Sequence, residues 1–111
     1  MNSSDPTARY ADMLAAIGAE PRLRALRELL KSHPEGLVVG ELQERLGVPA
    51  STLSHHLKKL ESEGLVRVER QSTFLRYRAN TDTLRELLGF LFAECCARNG
   101  ALNAEEVLRC C

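Results

Sequence analysis

The sequence predicts a mainly α-helical domain carrying one small β-hairpin, and three observations lead there. Apolar residues recur at helical spacing over most of the 111 residues. The segment LVRVERQSTFLRYRA instead alternates with period two. Ahead of it, ERLGVPASTLSHHL reads as two amphipathic helices joined at a tight Gly-Val-Pro turn. A chain of this length with 44% hydrophobic residues builds one domain with one modest core, expected over residues 1–100, followed by a tail at 101–111.

Taken in order, Asp5 and Pro6 start a first helix bearing Tyr10, Met13, Leu14 and Ile17, which stops at Gly18. A second begins at Pro21, with Leu23, Leu26 and Leu30 on one face, and ends before the turn His33-Pro34-Glu35-Gly36. Leu42 and Leu46 mark a short third helix, with Gly47 placed for a left-handed C-cap. The fourth is capped by Ser51 and buries Leu53, Leu57 and Leu60 at i, i+4 and i+7. Projection at 100° per residue turns Ser51, His55, Lys58, Lys59 and Ser62 outward, flanks them with Thr52 and Ser54, and sets His56 near the apolar edge.

In the hairpin, Val66 and Val68, then Leu75, Tyr77 and Ala79, alternate with charged residues, and Gln71-Ser72-Thr73 connects the strands without the glycine such turns favour. A last long helix runs from about Thr83, with Thr83 to Glu86 as a capping box and Asn99-Gly100 as its stop. Leu84, Leu87, Leu88 and Leu91 form a stripe that Phe90 and Phe92 widen beyond the needs of one small core, so this helix is expected to pack against a second copy. Asn103 to Glu106 repeats a cap pattern in the tail.

Formal charge is balanced at 15 basic and 15 acidic residues, but it is distributed unevenly. From Ser51 to Arg78 six bases face three acids; from Asp82 onward three bases face five acids. The middle therefore suits a phosphate-facing surface and the end a separate interaction element. The opening MNSSDPTARY has no apolar run, and the longest apolar stretch, Leu87 to Ala93, is far short of the roughly 20 residues a membrane span needs. The expectation is a cytoplasmic protein with no membrane partner. In that reducing setting its four cysteines, the adjacent pairs Cys95-Cys96 and Cys110-Cys111, read as ligands, redox sensors or packing groups before disulfides.

Helix, helix, helix-turn-helix, hairpin, helix is the order of a winged helix-turn-helix DNA-binding domain. AEPRLRALRELL is similar to the second helix of the ArsR/SmtB metalloregulatory repressors, and LSHHLKKLESEGLVRVER with the later RYRA resembles their recognition helix and two wing strands. The resemblance spans roughly residues 10 to 98. It implies a transcriptional repressor, homodimeric through its first and last long helices, that binds double-stranded operator DNA with an inverted repeat and leaves it when a metal or metalloid binds. The outward residues Ser51, Thr52, Ser54, His55, His56, Lys58 and Lys59 would then face the major groove, short donors and acceptors reading base edges while lysines meet phosphates. His56 keeps a second reading as a packed histidine, and His55 one as a solvated residue. The wing departs from the family at its tip, where Gln71-Ser72-Thr73 replaces the usual Gly and Arg, so wing contact rests on Arg70, Arg76 or Arg78.

Of the family's sensing sites, the cysteine pair ahead of the recognition helix has no counterpart in LVVGELQERL, and the Asp/His site of the last helix has none in Thr83 to Asn99. The doublet Cys95-Cys96 remains and resembles the arsenic-sensing branch. The resemblance implies trivalent arsenic or antimony held by three thiolates, with Cys110 or Cys111 expected to complete the set; with the doublet alone, the expected ligand is a monosubstituted arsenical. Soft thiolates suit such centres. No constitutive cofactor is expected. Two alternatives stay open: a thiol redox switch, and a zinc or cadmium site of all four thiolates. A thiol enzyme is not expected, because the doublet lies late in a helix beside Glu94 instead of in an anion-binding loop.

Overall fold

The computed structural model describes residues 5–99, with side chains through residue 93. The chain forms two compact units, Met1–Asn80 and Thr81–Cys111. In the first lie α1 (Thr7–Ile17), α2 (Glu20–Lys31), β1 (Leu37–Val38), α3 (Val39–Leu46), α4 (Ala50–Ser62), β2 (Val66–Gln71) and β3 (Phe74–Ala79). The second is entered by α5 (Thr81–Asn99). The expected helix-rich class with a hairpin is what the chain adopts.

Asp5 does its expected work at the start of α1, where its carboxylate accepts the Thr7 N–H at 2.9 Å. That hydrogen bond holds the Asp5 carboxyl below the ordinary carboxylate range. At the other end, the Arg22 guanidinium donates to the Ala16 carbonyl at 2.6 Å, satisfying an orphan acceptor of α1 and tying it to α2. Gly47 is the left-handed C-cap of α3 at φ 65°. Gly64, at φ 74°, ends α4 as the Leu65 N–H reaches back to the Leu60 carbonyl and the Gly64 N–H to Glu61. Leu60 and Leu65 are both fully buried across that turn, so capping and core packing are one feature.

The buried stripes of α1 and α2 differ from expectation. On α2 the inward residues are Ala25, Leu26 and Leu29, whereas Leu23 and Leu30 stay exposed. The stripe is rotated because α2 is contacted by α1, α3, α4 and β3 together, and Ala25 lets a neighbour approach closely. On α1, Met13 and Ala16 are buried while Leu14 is 42% exposed. In α4, Leu53, Leu57 and Leu60 are inward, as their spacing predicts.

The hairpin is part of a three-stranded antiparallel sheet in the order β1-β3-β2. The strand Leu37–Val38 has no signature in the sequence, because two residues carry no periodicity and only pairing with Tyr77 and Arg76 makes them a strand. The connection shortens to Ser72-Thr73, because Gln71 pairs with Phe74, and Ser72 takes the strained φ of 59° that glycine would accept freely. Register sets Val66, Tyr77 and Ala79 on the buried face. Leu75 shares that face but lies far enough out to be exposed. The Asn80 side chain donates to the Gly64 carbonyl at 2.9 Å and pins the base of the hairpin.

The helix α5 begins at Thr81, two residues ahead of the expected capping box, so Thr83 is a buried helical residue and Asp82 occupies the first turn, where the helix dipole favours an acid. Leu88 and Leu91 are exposed on it. The expected stop at Gly100, the cap at Asn103 to Glu106, and Cys110 and Cys111 lie outside the described residues.

Candidate nucleic-acid interface

The interface is built from α4 upward. Val48 and Pro49 lead out of the Gly47 cap, and Pro49, extended at ψ 150°, is the residue before the first turn of α4. Its carbonyl accepts the Leu53 N–H at 3.0 Å. Ser51, expected as the cap, therefore sits one place inside the helix with its side chain exposed. With Leu53, Leu57 and Leu60 inward, Ser51, Thr52, Ser54, His55, Lys58 and Lys59 all come to the exposed side of α4. His55, Lys58, Lys59 and Ser62 line one shallow cleft of about 350 Å³. Four polar or cationic groups on one open helix face match what a major groove with flanking phosphates requires.

His56 stands apart from this group. Its ring is half-buried, Nδ1 is buried with no hydrogen-bond partner among the described residues, and the residue lines a cavity of about 250 Å³ with Glu20, Pro21, Leu46, Val48 and Leu53. The His55 ring lies 5.9 Å away, centroid to centroid. Burial first, then the Arg22 and His55 charges, push the His56 pKa below the ordinary histidine value. Of the two readings of this histidine, its surroundings match the packed one.

A pH dependence follows from that shift. Below the ordinary value of 6.5 the unfolded chain takes a proton on His56 that the folded chain resists. Stability is thus intact above pH 6.5 and declines as pH falls from there through the folded pKa. Urea midpoints should drop between pH 7.5 and 5.5, and His56→Leu should flatten part of that decline. The same substitution at exposed His55 is the control; equal slopes in all three proteins would remove His56 from the account.

On the wing, register separates the expected cations. Arg76 and Arg78 share the solvent face with Glu69 and Gln71, whereas Arg70 stands opposite Leu75 on the other face, at its outer end. The solvent face is cross-linked: Arg78 donates to Glu69 at 2.8 Å, Gln71 to the same carboxylate at 2.7 Å, and Arg76 to the Gln71 side-chain oxygen at 2.7 Å. Hydrogen bonds from Arg78, then Gln71, hold the Glu69 carboxyl below its ordinary range. Arg76 is braced further by a contact to the Gly36 carbonyl at 3.4 Å. Arg70 has no such tether among the described residues. Phe74 also lies on this wing, turned outward by the same period-two pattern.

Cys95 and Cys96 occupy successive backbone positions in the last turns of α5, but their side chains, like all of Cys110 and Cys111, are outside the described residues.

Comparison with known proteins agrees with this architecture. A helix-turn-helix domain family, HTH_20, matches residues 17–69. The nodulation protein NolR of Rhizobium meliloti is 35% identical over 81 residues, covering 73% of this chain and 64% of NolR, so the match spans just under two thirds of that protein. The transcriptional activator HlyU of Vibrio cholerae is 31% identical over 84% of this chain and 83% of its own length. Its solved structure superposes with a TM-score of 0.64, covering 81% of this chain and 98% of that one, and a structure described as reduced HlyU superposes at 0.62. An ArsR-like transcriptional regulator from Rhodococcus sp. RHA1 is 30% identical with a TM-score of 0.64, covering 86% of this chain and 82% of that one. HlyU and the Rhodococcus protein are described as transcriptional regulators. The open polar face of α4, the wing beside it and these likenesses together place the chain in the ArsR-like family of winged helix-turn-helix transcriptional regulators.

Proposed function

We propose that the chain is a homodimeric repressor that binds an inverted-repeat operator and releases it when trivalent arsenic or antimony binds its cysteine thiolates. The observation that carries the inducer is the Cys95-Cys96 doublet. The α5 backbone is helical through Asn99, so the two residues are neighbours 100° apart around one helix. A large, soft centre with long bonds to sulfur suits two such thiolates, and Cys110 or Cys111 would supply the third. Pairing of two copies is supported by the exposed leucines Leu14, Leu88 and Leu91, which a single chain leaves in water. In a two-fold dimer the two α4 helices would lie about one DNA turn apart, roughly 34 Å. Tying the doublet to the tail would change the helix separation, and a coupling of about 1 to 3 kcal/mol would lower operator affinity on the order of 5- to 150-fold.

Two measurements test this. Binding to a duplex selected from a random pool should fall steeply with salt, and Lys58→Ala or Lys59→Ala should each lower the logarithmic slope by about 1. A flat salt dependence would remove DNA as the partner. Under reducing conditions, arsenite, methylarsenite or antimonite should release the duplex from the unmutated protein but not from Cys95→Ser or Cys96→Ser. Persistence of the complex with all three would sink the inducer.

A second reading is favoured by the likeness to HlyU, one of whose structures is described as reduced. The same thiols would then form a disulfide on oxidation and release DNA. Release by peroxide with no response to arsenicals is its signature.

A further inference from the structure

Phe74 is, at 61%, the most exposed large apolar side chain among the described residues. The strand register explains why the fold cannot hide it. Val66, Tyr77 and Ala79 define the buried face of the hairpin, and Phe74 lies on the opposite face, in the pair with Gln71 that closes the turn. It therefore stands at the outer end of the strand pairing, next to the Ser72-Thr73 turn. The side chains beside it on that face, Glu69, Gln71, Arg76 and Arg78, are joined by the chain of hydrogen bonds described above, which fixes the surface from which the ring projects. Core packing does not account for an aromatic ring at this position.

The charge around the ring selects its partner. Strands β2 and β3 carry Arg67, Arg70, Arg76 and Arg78 against Glu69 alone, and that one carboxylate is paired with Arg78. An apolar tip in a cationic setting is complementary to a polyanion whose interior is apolar and stacked, which is duplex DNA. Building on the DNA-binding reading of α4, we propose that the wing lays Phe74 into the minor groove flanking each half-site as an apolar wedge against a base step, with Arg70 and Arg76 at the bordering phosphates. Wedges of this kind partly unstack a step and bend the duplex. Pyrimidine–purine steps unstack at least cost, so the flank is selected by deformability, without hydrogen bonds to bases.

The test uses the full chain and a duplex selected by the unmutated protein from a random pool. Phe74→Ala, a surface change, should keep the circular dichroism spectrum and melting temperature while affinity falls about tenfold, the order of one lost base–aromatic contact. The bend, read by energy transfer between end labels, should diminish with it. Replacing a flanking TA step by GC should weaken the unmutated protein but not Phe74→Ala. Because the chain has no tryptophan, Phe74→Trp gives a single indole whose emission should be quenched by the duplex. Unchanged affinity and bend in Phe74→Ala, or unchanged emission in Phe74→Trp, overturns the wedge and leaves DNA binding standing. A change in sedimentation without one in affinity would assign the ring to contact between copies, which also overturns it. If the unmutated protein selects no duplex, the DNA-binding reading itself fails and the wedge with it.

Discussion

Gly36→Ala is expected to cost upwards of about 3 kcal/mol of folding free energy. Two causes add. Gly36 has φ +74°, where an L side chain costs roughly 1 to 2 kcal/mol. A Cβ there would also lie 2.2 Å from the Tyr77 carbonyl oxygen and 2.7 Å from Arg78 Cγ. The first of those atoms is backbone, held by the pairing of Leu37 with Tyr77, so relief requires β1 to separate from β3. Gly47→Ala is the matched control: φ is +65°, but nothing lies within 4 Å, so only the conformational cost of about 1 to 2 kcal/mol remains. Thermal melts should separate the two variants by more than about 5 °C. Equal losses would show that β1 yields easily and that backbone conformation is the whole effect.

Leu57→Ala is expected to cost about 3 to 4 kcal/mol, a large share of the roughly 5 to 15 kcal/mol that stabilises a domain. Leu57 is fully buried at the middle of α4, between Leu53 and Leu60, which are equally enclosed. Truncation removes its transfer energy and leaves a cavity that a core bounded by several helices closes poorly. The consequence reaches function, because these three leucines hold α4 with His55, Lys58 and Lys59 outward. Urea denaturation gives the stability, and DNA binding measured at a temperature where the variant is still folded separates unfolding from misplacement of the helix. A loss below about 1 kcal/mol would mean that the site collapses and the packing is not specific to leucine.

What was legible in the sequence had a local cause. The inward stripe of α4, the left-handed cap at Gly47 and the alternation of the hairpin each arise from a spacing within a few residues, and each is found where the spacing puts it. What departs from the spacing has a distant cause. Leu23 and Leu30 fit the apolar stripe of α2 as well as Leu26 does, yet only the packing of three other helices and a strand around α2 decides that Ala25 and Leu29 face inward instead. Ser51 is a good capping residue by type, but the extended backbone at Pro49 moves the start of the helix ahead of it, so the serine keeps its outward place without the capping role.

The candidate site divides the same way. Residue identity alone determined that α4 would offer hydroxyls, imidazoles and lysines, because type and helical period are both written in the chain. Tertiary structure decided that His56 turns into a cavity beside α2 and α3, that Arg76 and Arg78 are bound into a network around Glu69, and that Phe74 is left in water at the tip of the wing. Periodicity fixes the direction of a side chain relative to its own element; which neighbour meets it, or whether any does, depends on contacts between residues far apart in sequence.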